Sequence, residues 1–374
     1  MPSWLKEGRG SLCGANVSLL LREMGITKPL LVAGERTKNV FFARTGMRLP
    51  VFDAFHPNPD LQDCVAGAAL YQEKGCDGLI SIGGGSAMDT AKGIKALLMT
   101  DIAHVRANQL PSEGNVPHLA IPGTAGTGAE TTAVAVLYED GQKLSVDHPA
   151  LLPDGVLLDG SLLDTLPEYH RKSCAMDALA QGIESWWAKK ATPGSRIHAE
   201  RAIRGVLDNL TAYLQGDRKA QDEMLHAAYE SGVAILTTRT TAAHAMSYQI
   251  TKKLGAAHGH ACMLTLPHLW AHLAAQAEYQ PMLTELAHIL GGEKPMDGAV
   301  LLKGLLAVLE LDKIPMPDDA TLDMLAASVN PERLGNHPEA LTTAQLRAIY
   351  VQAFTPMTDT ERAEAIAAWE QYGK

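Results

Sequence analysis

The chain has 374 residues, 46% hydrophobic and 20% charged, the composition of a soluble globular protein long enough for two or three domains. A formal net charge of −10, with no lysine or arginine run to track a phosphate backbone, excludes nucleic acid as an expected partner. No window approaches the ~18 uninterrupted apolar residues of a membrane span, and "MPSWLKEGRGSLCGANVSLLLREMG" mixes charge and glycine where a signal peptide needs a clean apolar run. A cytoplasmic protein without membrane contact is therefore expected.

In chain order, the first 160 residues alternate short apolar runs ("PLLVAG", "GLISIGGG", "PHLAIPG", "GVLLD") with helical-looking segments, the pattern of βαβ units. This predicts an α/β N-terminal domain with a mostly parallel sheet over residues 1–160. From "LPEYHRKSCAMDALAQGIESWWAKK" onward, Ala, Leu and Glu recur at three- and four-residue spacing and strand signals vanish, predicting an all-helical C-terminal domain over 161–374. A cleft between the two halves is expected. Cys13, Cys64, Cys76, Cys174 and Cys262 are scattered without CxxC spacing, which supports neither a disulfide framework nor a thiolate zinc site; they read as buried thiols.

Within the first half, "LISIGGGSAMDTAKGIKALL" reads as a buried strand, a glycine turn and a helix. Such a turn lets backbone N–H groups approach an anion at the positive end of the helix dipole, so a pyrophosphate fits; a tight turn without ligand is the alternative. A second turn, "IPGTAGTGAETT", follows another short apolar strand, and two such loops at successive strand ends favour a nucleotide crevice. In the second half, Asp177 and Gln181 of "MDALAQGIES" lie four apart and share one helix face. Together with His244 and His258 of "HAMSYQITKKLGAAHGH" they could surround one divalent cation with oxygen and imidazole donors. Packed or surface histidines are the alternative, and fourteen histidines are present.

The ordered set "GGGSAMDTAK", "IPGTAGTGAETT", "MDALAQGIES" and "HAMSYQ…HGHACMLTLPH" resembles the iron-containing (group III) alcohol dehydrogenases, with similarity running from "HPNPDL" near residue 56 to "NHPEALTTAQL" near residue 336. The resemblance implies a dinucleotide-binding N-terminal domain, a helical metal- and substrate-binding domain, and NAD(P)-linked interconversion of alcohol and aldehyde. Carried over by position, it places metal ligands at Asp177, His244 and His258, with His260 as a neighbour. It also places Gly84, Gly85 and Ser86 at the pyrophosphate, Asp89 and Lys92 nearby on the helix, and Thr124 and Thr127 along the other side of the cofactor. A homodimer is expected.

Three positions depart from the family pattern. Gln181 stands where a fourth ligand histidine is usual, and an amide oxygen there leaves a harder, weaker site that weakens the case for iron specifically: iron comes first from the resemblance, and zinc or manganese could fill it too. Tyr248 replaces the histidine four residues after His244, and acts either as proton donor to the substrate oxygen or as packing. Gly123 replaces a threonine. After the strand "PLLVAG", Gly34 replaces the aspartate frequent in NAD-preferring members and Arg36 follows, which favours NADPH over NADH, although Glu35 argues the other way.

The same departures resemble the phosphonoacetaldehyde reductase subgroup, whose "DALxQxIESxW" and "TTxxHxxSY…HGHA" patterns match here. The implied reaction is reduction of a small anionic aldehyde, phosphonoacetaldehyde, to 2-hydroxyethylphosphonate. A neutral aldehyde such as lactaldehyde, or a dehydroquinate-synthase-like lyase reaction, remains as an alternative. A dianionic phosphonate needs local cations in an acidic chain. Arg239 leads, because a guanidinium can hold two phosphonate oxygens at once, and Lys252 and Lys253 follow.

Overall fold

The structure, a computed structural model, describes residues 6–112 and 116–372. The chain divides into two compact units, Met1–Thr165 and Leu166–Lys374. In the first, the elements run β1 (Lys6–Arg9), α1 (Gly14–Glu23), β2 (Pro29–Ala33), α2 (Glu35–Thr45), β3 (Val51–Phe52), α3 (Leu61–Lys74), β4 (Gly78–Gly83) and α4 (Gly85–Met99). They continue as α5 (Ile102–Arg106), β5 (His118–Pro122), β6 (Val134–Glu139), β7 (Gln142–Asp147) and β8 (Gly155–Leu158). Six strands form one parallel sheet in the order β1-β8-β5-β4-β2-β3.

The apolar runs become strands because both sheet faces are covered. Along β2, Leu30 and Val32 enter one apolar cluster with Leu61 and Cys64 of α3 and Ala91 and Ile94 of α4. Leu31 and Ala33 enter the opposite cluster with Val17, Leu20 and Leu21 of α1 and Phe41 of α2. Alternate residues point to opposite faces, so a strand covered on both sides reads as a continuous apolar run, as parallel sheets require. Each such side chain contributes roughly 1.5–3 kcal/mol by leaving water.

From β2 the chain moves outward to β3, and from β4 it moves the other way through β5 to β8. The loops after β2 and β4 therefore part in opposite directions, and the space outside their carboxyl ends is where an open α/β sheet takes a ligand. An antiparallel hairpin of β6 and β7, outside the sequence expectations, is closed by Asp140 (φ 50°) and Gly141 (φ 73°). Both central residues lie at positive φ, the turn that Asp-Gly favours.

The second unit is helical throughout its described residues: α6 (Glu168–Trp187), α7 (Pro193–Leu214), α8 (Arg218–Thr238), α9 (Ala242–Leu254), α10 (His258–Ala274), α11 (Gln280–Leu290), α12 (Asp297–Val308), α13 (Asp319–Ala327), α14 (Pro331–Leu334), α15 (Thr343–Phe354) and α16 (Asp359–Tyr372). Every residue of α6 from Ala175 to Trp187 is buried, because α7, α8 and α10 pack around it. A helix buried on all sides can carry Asp177, Gln181 and Glu184 only if each finds a partner. The expected fold class, an α/β domain with a mostly parallel sheet followed by a helical one, is what forms. Among the described residues no helix is long and apolar enough to cross a membrane.

Gly259, in the first turn of α10, sets how closely that helix approaches α6. A Cβ there would lie 2.0 Å from the Ser173 carbonyl oxygen and 2.7 Å from both the backbone nitrogen and Cβ of Asp177. Backbone atoms cannot step aside, so Gly259→Ala should push the two helices apart at Asp177. The expected cost is about 1–3 kcal/mol, the range for overpacking, against a small gain in helix propensity near a helix end. Thermal denaturation checks this, and an unshifted midpoint would show that the two helices can part there at no cost.

Candidate active site

Three helices of the second unit bring four donors together. Asp177 from α6, His244 from α9, and His258 and Cys262 from α10 each offer one atom, and the four atoms lie within 4.8 Å of one another. His258 and Cys262 are four residues apart on one helix face, and so are Asp177 and Gln181. Asp177 Oδ1 lies 3.1 Å from His244 Nε2 and 3.9 Å from His258 Nε2, and Cys262 Sγ lies 3.9 Å from His258 Nε2. Asp177, His244 and Cys262 are buried, whereas the His258 side chain is 37% exposed and opens the cluster on one side.

Glu184, one further turn along α6 and fully buried, holds His244 in place. Its Oε2 accepts from His244 Nδ1, which leaves Nε2 facing the cluster. Its Oε1 accepts from the backbone N–H groups of Thr241 (3.0 Å), Ala243 (2.9 Å) and His244 (3.4 Å) and from the Thr241 hydroxyl (2.6 Å). One carboxylate from α6 thus satisfies orphan donors at the start of α9 and fixes the tautomer of an imidazole on that helix. Ser247 Oγ lies 3.3 Å from His258 Nδ1 and acts on the second histidine in the same sense.

The acidic groups and the imidazoles of the cluster support one another's charged forms. Burial raises the Asp177 and Glu184 carboxyls, but the adjacent imidazoles and hydrogen bonds outweigh it and hold both below the usual carboxylate range. Burial likewise raises the Cys262 thiol, and the two imidazoles reverse the shift, bringing it down to about 7. Burial lowers both histidines, and Cys262 with the carboxylates outweighs it and raises them. The cluster stabilises a carboxylate and a thiolate with positive charge between them, and a divalent cation supplies that charge when ligands deprotonate. The donor set therefore fits a resident metal.

The other expected residues of this unit fall into three groups. Gln181 sits beside the cluster with its amide nitrogen 3.4 Å from Asp177 Oδ1, while its oxygen accepts from the Ser231 hydroxyl at 2.8 Å. It presents an N–H to the cluster. Tyr248 stacks parallel to the His258 ring at 6.2 Å between centroids. Arg239 is half-buried at the end of α8 with an unusual backbone, φ 61° and ψ 178°, and donates to the Leu236 carbonyl at 2.9 Å. His260 is not in the cluster: its Nε2 donates to the Leu311 carbonyl at 2.8 Å and its Nδ1 meets the Tyr169 hydroxyl at 3.1 Å. Lys252 and Lys253 are exposed at the end of α9.

In the first unit a groove runs outside the carboxyl ends of β2, β4 and β5, lined among others by Gly34, Arg36, Gly84, Gly85, Ser86 and Thr124. Gly84 and Gly85 open α4, where N–H groups and dipole favour an anion. Gly123 packs closely on the strand beside it: its N–H donates to the Gly83 carbonyl at 2.7 Å, and a Cβ would lie 3.3 Å from Gly83 Cα. Thr127 flanks Gly85, within 3.7 Å of where a Cβ would stand. The structure does not bring Lys92 to this groove. Its ammonium is buried against the Ala129 and Val134 carbonyls and the Thr132 hydroxyl, and burial lowers it to about 8. Asp89, whose carboxyl burial raises to about 6 with Lys92 opposing, does not line the groove either.

Glu184 is absent from the sequence expectations, and Cys262 entered them only as a buried thiol. A His-x₃-Cys spacing on one helix was the available signal for Cys262; Glu184 carried none beyond its place seven residues after Asp177.

Sequence profiles described as iron-containing alcohol dehydrogenase and as the C-terminal domain of that family match residues 3–160 and 172–354. The chain is 36% identical to a phosphonoacetaldehyde reductase from Streptomyces viridochromogenes over 57% of this chain and 58% of that protein. It is 30% identical to an NAD-dependent methanol dehydrogenase from Bacillus methanolicus over 75% and 77%. Other curated relatives are matched over only 60% and 63% of their own length. The crystal structure of a sulfoacetaldehyde reductase from Bifidobacterium kashiwanohense, in complex with NAD+, superposes with a TM-score of 0.85 at 26% identity, covering 95% of this chain and 97% of that one.

Proposed function

Since the chain belongs to the iron-containing alcohol dehydrogenase family, we propose that it is a metal-dependent, NAD(P)H-linked reductase converting phosphonoacetaldehyde to 2-hydroxyethylphosphonate. One observation carries the substrate class: two of the similar proteins are named for acetaldehydes bearing an oxyanion, one a phosphonate and one a sulfonate. In this reading the first unit is the dinucleotide-binding domain and the second binds metal and substrate.

A divalent ion held there would supply Lewis-acid polarisation of the aldehyde oxygen, and a bound reduced nicotinamide would supply the hydride. Asp177, His244 and His258 hold the ion, and Glu184 keeps His244 Nε2 aimed at it. Tyr248 Oη donates the proton that completes the alcohol. Arg239 holds the phosphonate through paired N–H donors. Gly84, Gly85 and Ser86 cradle the pyrophosphate, with Thr124 and Thr127 opposite. The test is oxidation of NADPH and NADH followed at 340 nm with phosphonoacetaldehyde and with lactaldehyde, alongside elemental analysis. A wild type that prefers the neutral aldehyde overturns the phosphonate assignment.

NADPH is the expected cofactor. Gly34 precedes α2, and a Cβ there meets only Thr37 Oγ1, at 4.0 Å, so position 34 itself presents no carboxylate to a 2′-phosphate. Arg36 lines the same groove, while the Glu35 carboxylate is engaged by Lys38 and Asn39. A hydrogen bond to a charged group is worth about 1.5–3 kcal/mol, so Arg36→Ala should lower the NADPH/NADH ratio of kcat/KM by about tenfold or more. Gly34→Asp has room for its side chain and should move the ratio the same way. A wild-type preference for NADH overturns this assignment.

A further inference from the structure

The family pattern leaves this cluster one imidazole short at Gln181, and the structure offers a replacement from another helix. We propose that the fourth protein ligand is the Cys262 thiolate, giving an Asp177–His244–His258–Cys262 centre. The inference rests on the metal-dependent reading above and deepens it.

Geometry is the first argument. With Zn–N near 2.0–2.1 Å and Zn–S near 2.3 Å, neighbouring donors on one tetrahedral ion lie about 3.3–3.6 Å apart. The observed separations of 3.1, 3.9 and 3.9 Å bracket that range, and the four atoms lie within 4.8 Å of one another. A pair at the 4.8 Å limit closes to that spacing by moving inward about 1 Å, shared between two side chains. Gln181 sits beside Asp177, but its oxygen accepts from Ser231 and its amide nitrogen faces Asp177 Oδ1 at 3.4 Å.

Charge is the second. The Cys262 thiolate adds a second anionic donor directly on the ion, where the neutral Gln181 amide adds none. The thiol proton passes to solvent as the ion binds. A soft thiolate selects zinc, cobalt or ferrous iron over manganese or magnesium, so the purified protein should retain the former group. Catalytic zinc can expand to five donors, and the open side of His258 leaves the substrate an approach.

The test uses the full chain, stripped of metal and titrated anaerobically with cobalt(II), a spectroscopic stand-in for zinc. The wild type should bind one equivalent and show a near-ultraviolet thiolate-to-cobalt charge-transfer band. That band should vanish in Cys262→Ser. Losing a partner outside the metal's own ligands costs roughly 10–100-fold in affinity, so losing this ligand should cost more than about a hundredfold, and Gln181→Leu, which removes only a partner of Asp177, no more than about 10–100-fold. Far-ultraviolet circular dichroism checks that both variants are folded, and if Cys262→Ser is not, the wild-type spectrum decides alone. One equivalent of cobalt without the band, or a band that survives in folded Cys262→Ser, overturns the thiolate ligand while leaving the metal site standing. A wild type that binds no cobalt and no zinc overturns both.

Discussion

His258→Ala should lose the metal ion and almost all activity while staying folded, whereas His244→Ala should lose ion, activity and stability together. Lewis-acid polarisation is worth several kcal/mol of transition-state stabilisation, so either variant should fall by about a thousandfold or more in kcat/KM. The difference lies in what each deletion strands. His258 is 37% exposed, and without it Asp177 still faces His244 at 3.1 Å. Removing His244 leaves Glu184, fully buried, without the imidazole that balances its charge, and breaking a buried pair costs about 3–5 kcal/mol. Glu184→Gln should sit between these, with metal affinity down roughly 10–100-fold, because it removes orientation and not a ligand. Elemental analysis, the 340 nm assay and thermal denaturation on the three variants check the series. A fully active, metal-free His258→Ala protein would falsify the metal-dependent mechanism.

Arg239→Ala should cost the enzyme roughly thirty- to several-thousand-fold in kcat/KM toward phosphonoacetaldehyde and leave a neutral aldehyde of similar length nearly untouched. The range corresponds to about 2–5 kcal/mol for breaking a hydrogen-bonded, partly buried charge pair. A backbone at φ 61° and ψ 178° is nearly reserved for glycine and costs an arginine about 1–3 kcal/mol. Such strain persists where the side chain is needed. Arg239→Gly should therefore be at least as stable as the wild type while losing the phosphonate reaction to the same extent as Arg239→Ala. Equal losses on charged and neutral aldehydes would remove Arg239 from the substrate site. An Arg239→Gly protein less stable than Arg239→Ala would show that the strain argument fails at this position.

The sheet strands were legible because burial on both faces leaves an unbroken apolar run, as in "PLLVA", whose five residues are all buried. The short strands Lys6–Arg9 and Val51–Phe52 carried no such run, since one is largely exposed and the other has two residues. The hairpin's "EDGQ" turn was present in the sequence, but its flanking residues lack clean alternation. In the helical half, period and composition marked the helices without marking their partners.

By itself the sequence determined the order of strands and helices, the glycine turn that opens Gly85–Met99, and the pairing of Asp177 with Gln181 on one helix face. Those are local properties, fixed by periods of two and 3.6 residues and by backbone freedom at glycine. Only the tertiary structure decided that Glu184 caps the helix carrying His244, that Lys92 turns away from the nucleotide groove, and that Cys262 joins Asp177 and two histidines. Each depends on where helices far apart in sequence cross. At the cluster that crossing is set by the absence of a Cβ at Gly259, which no local pattern encodes.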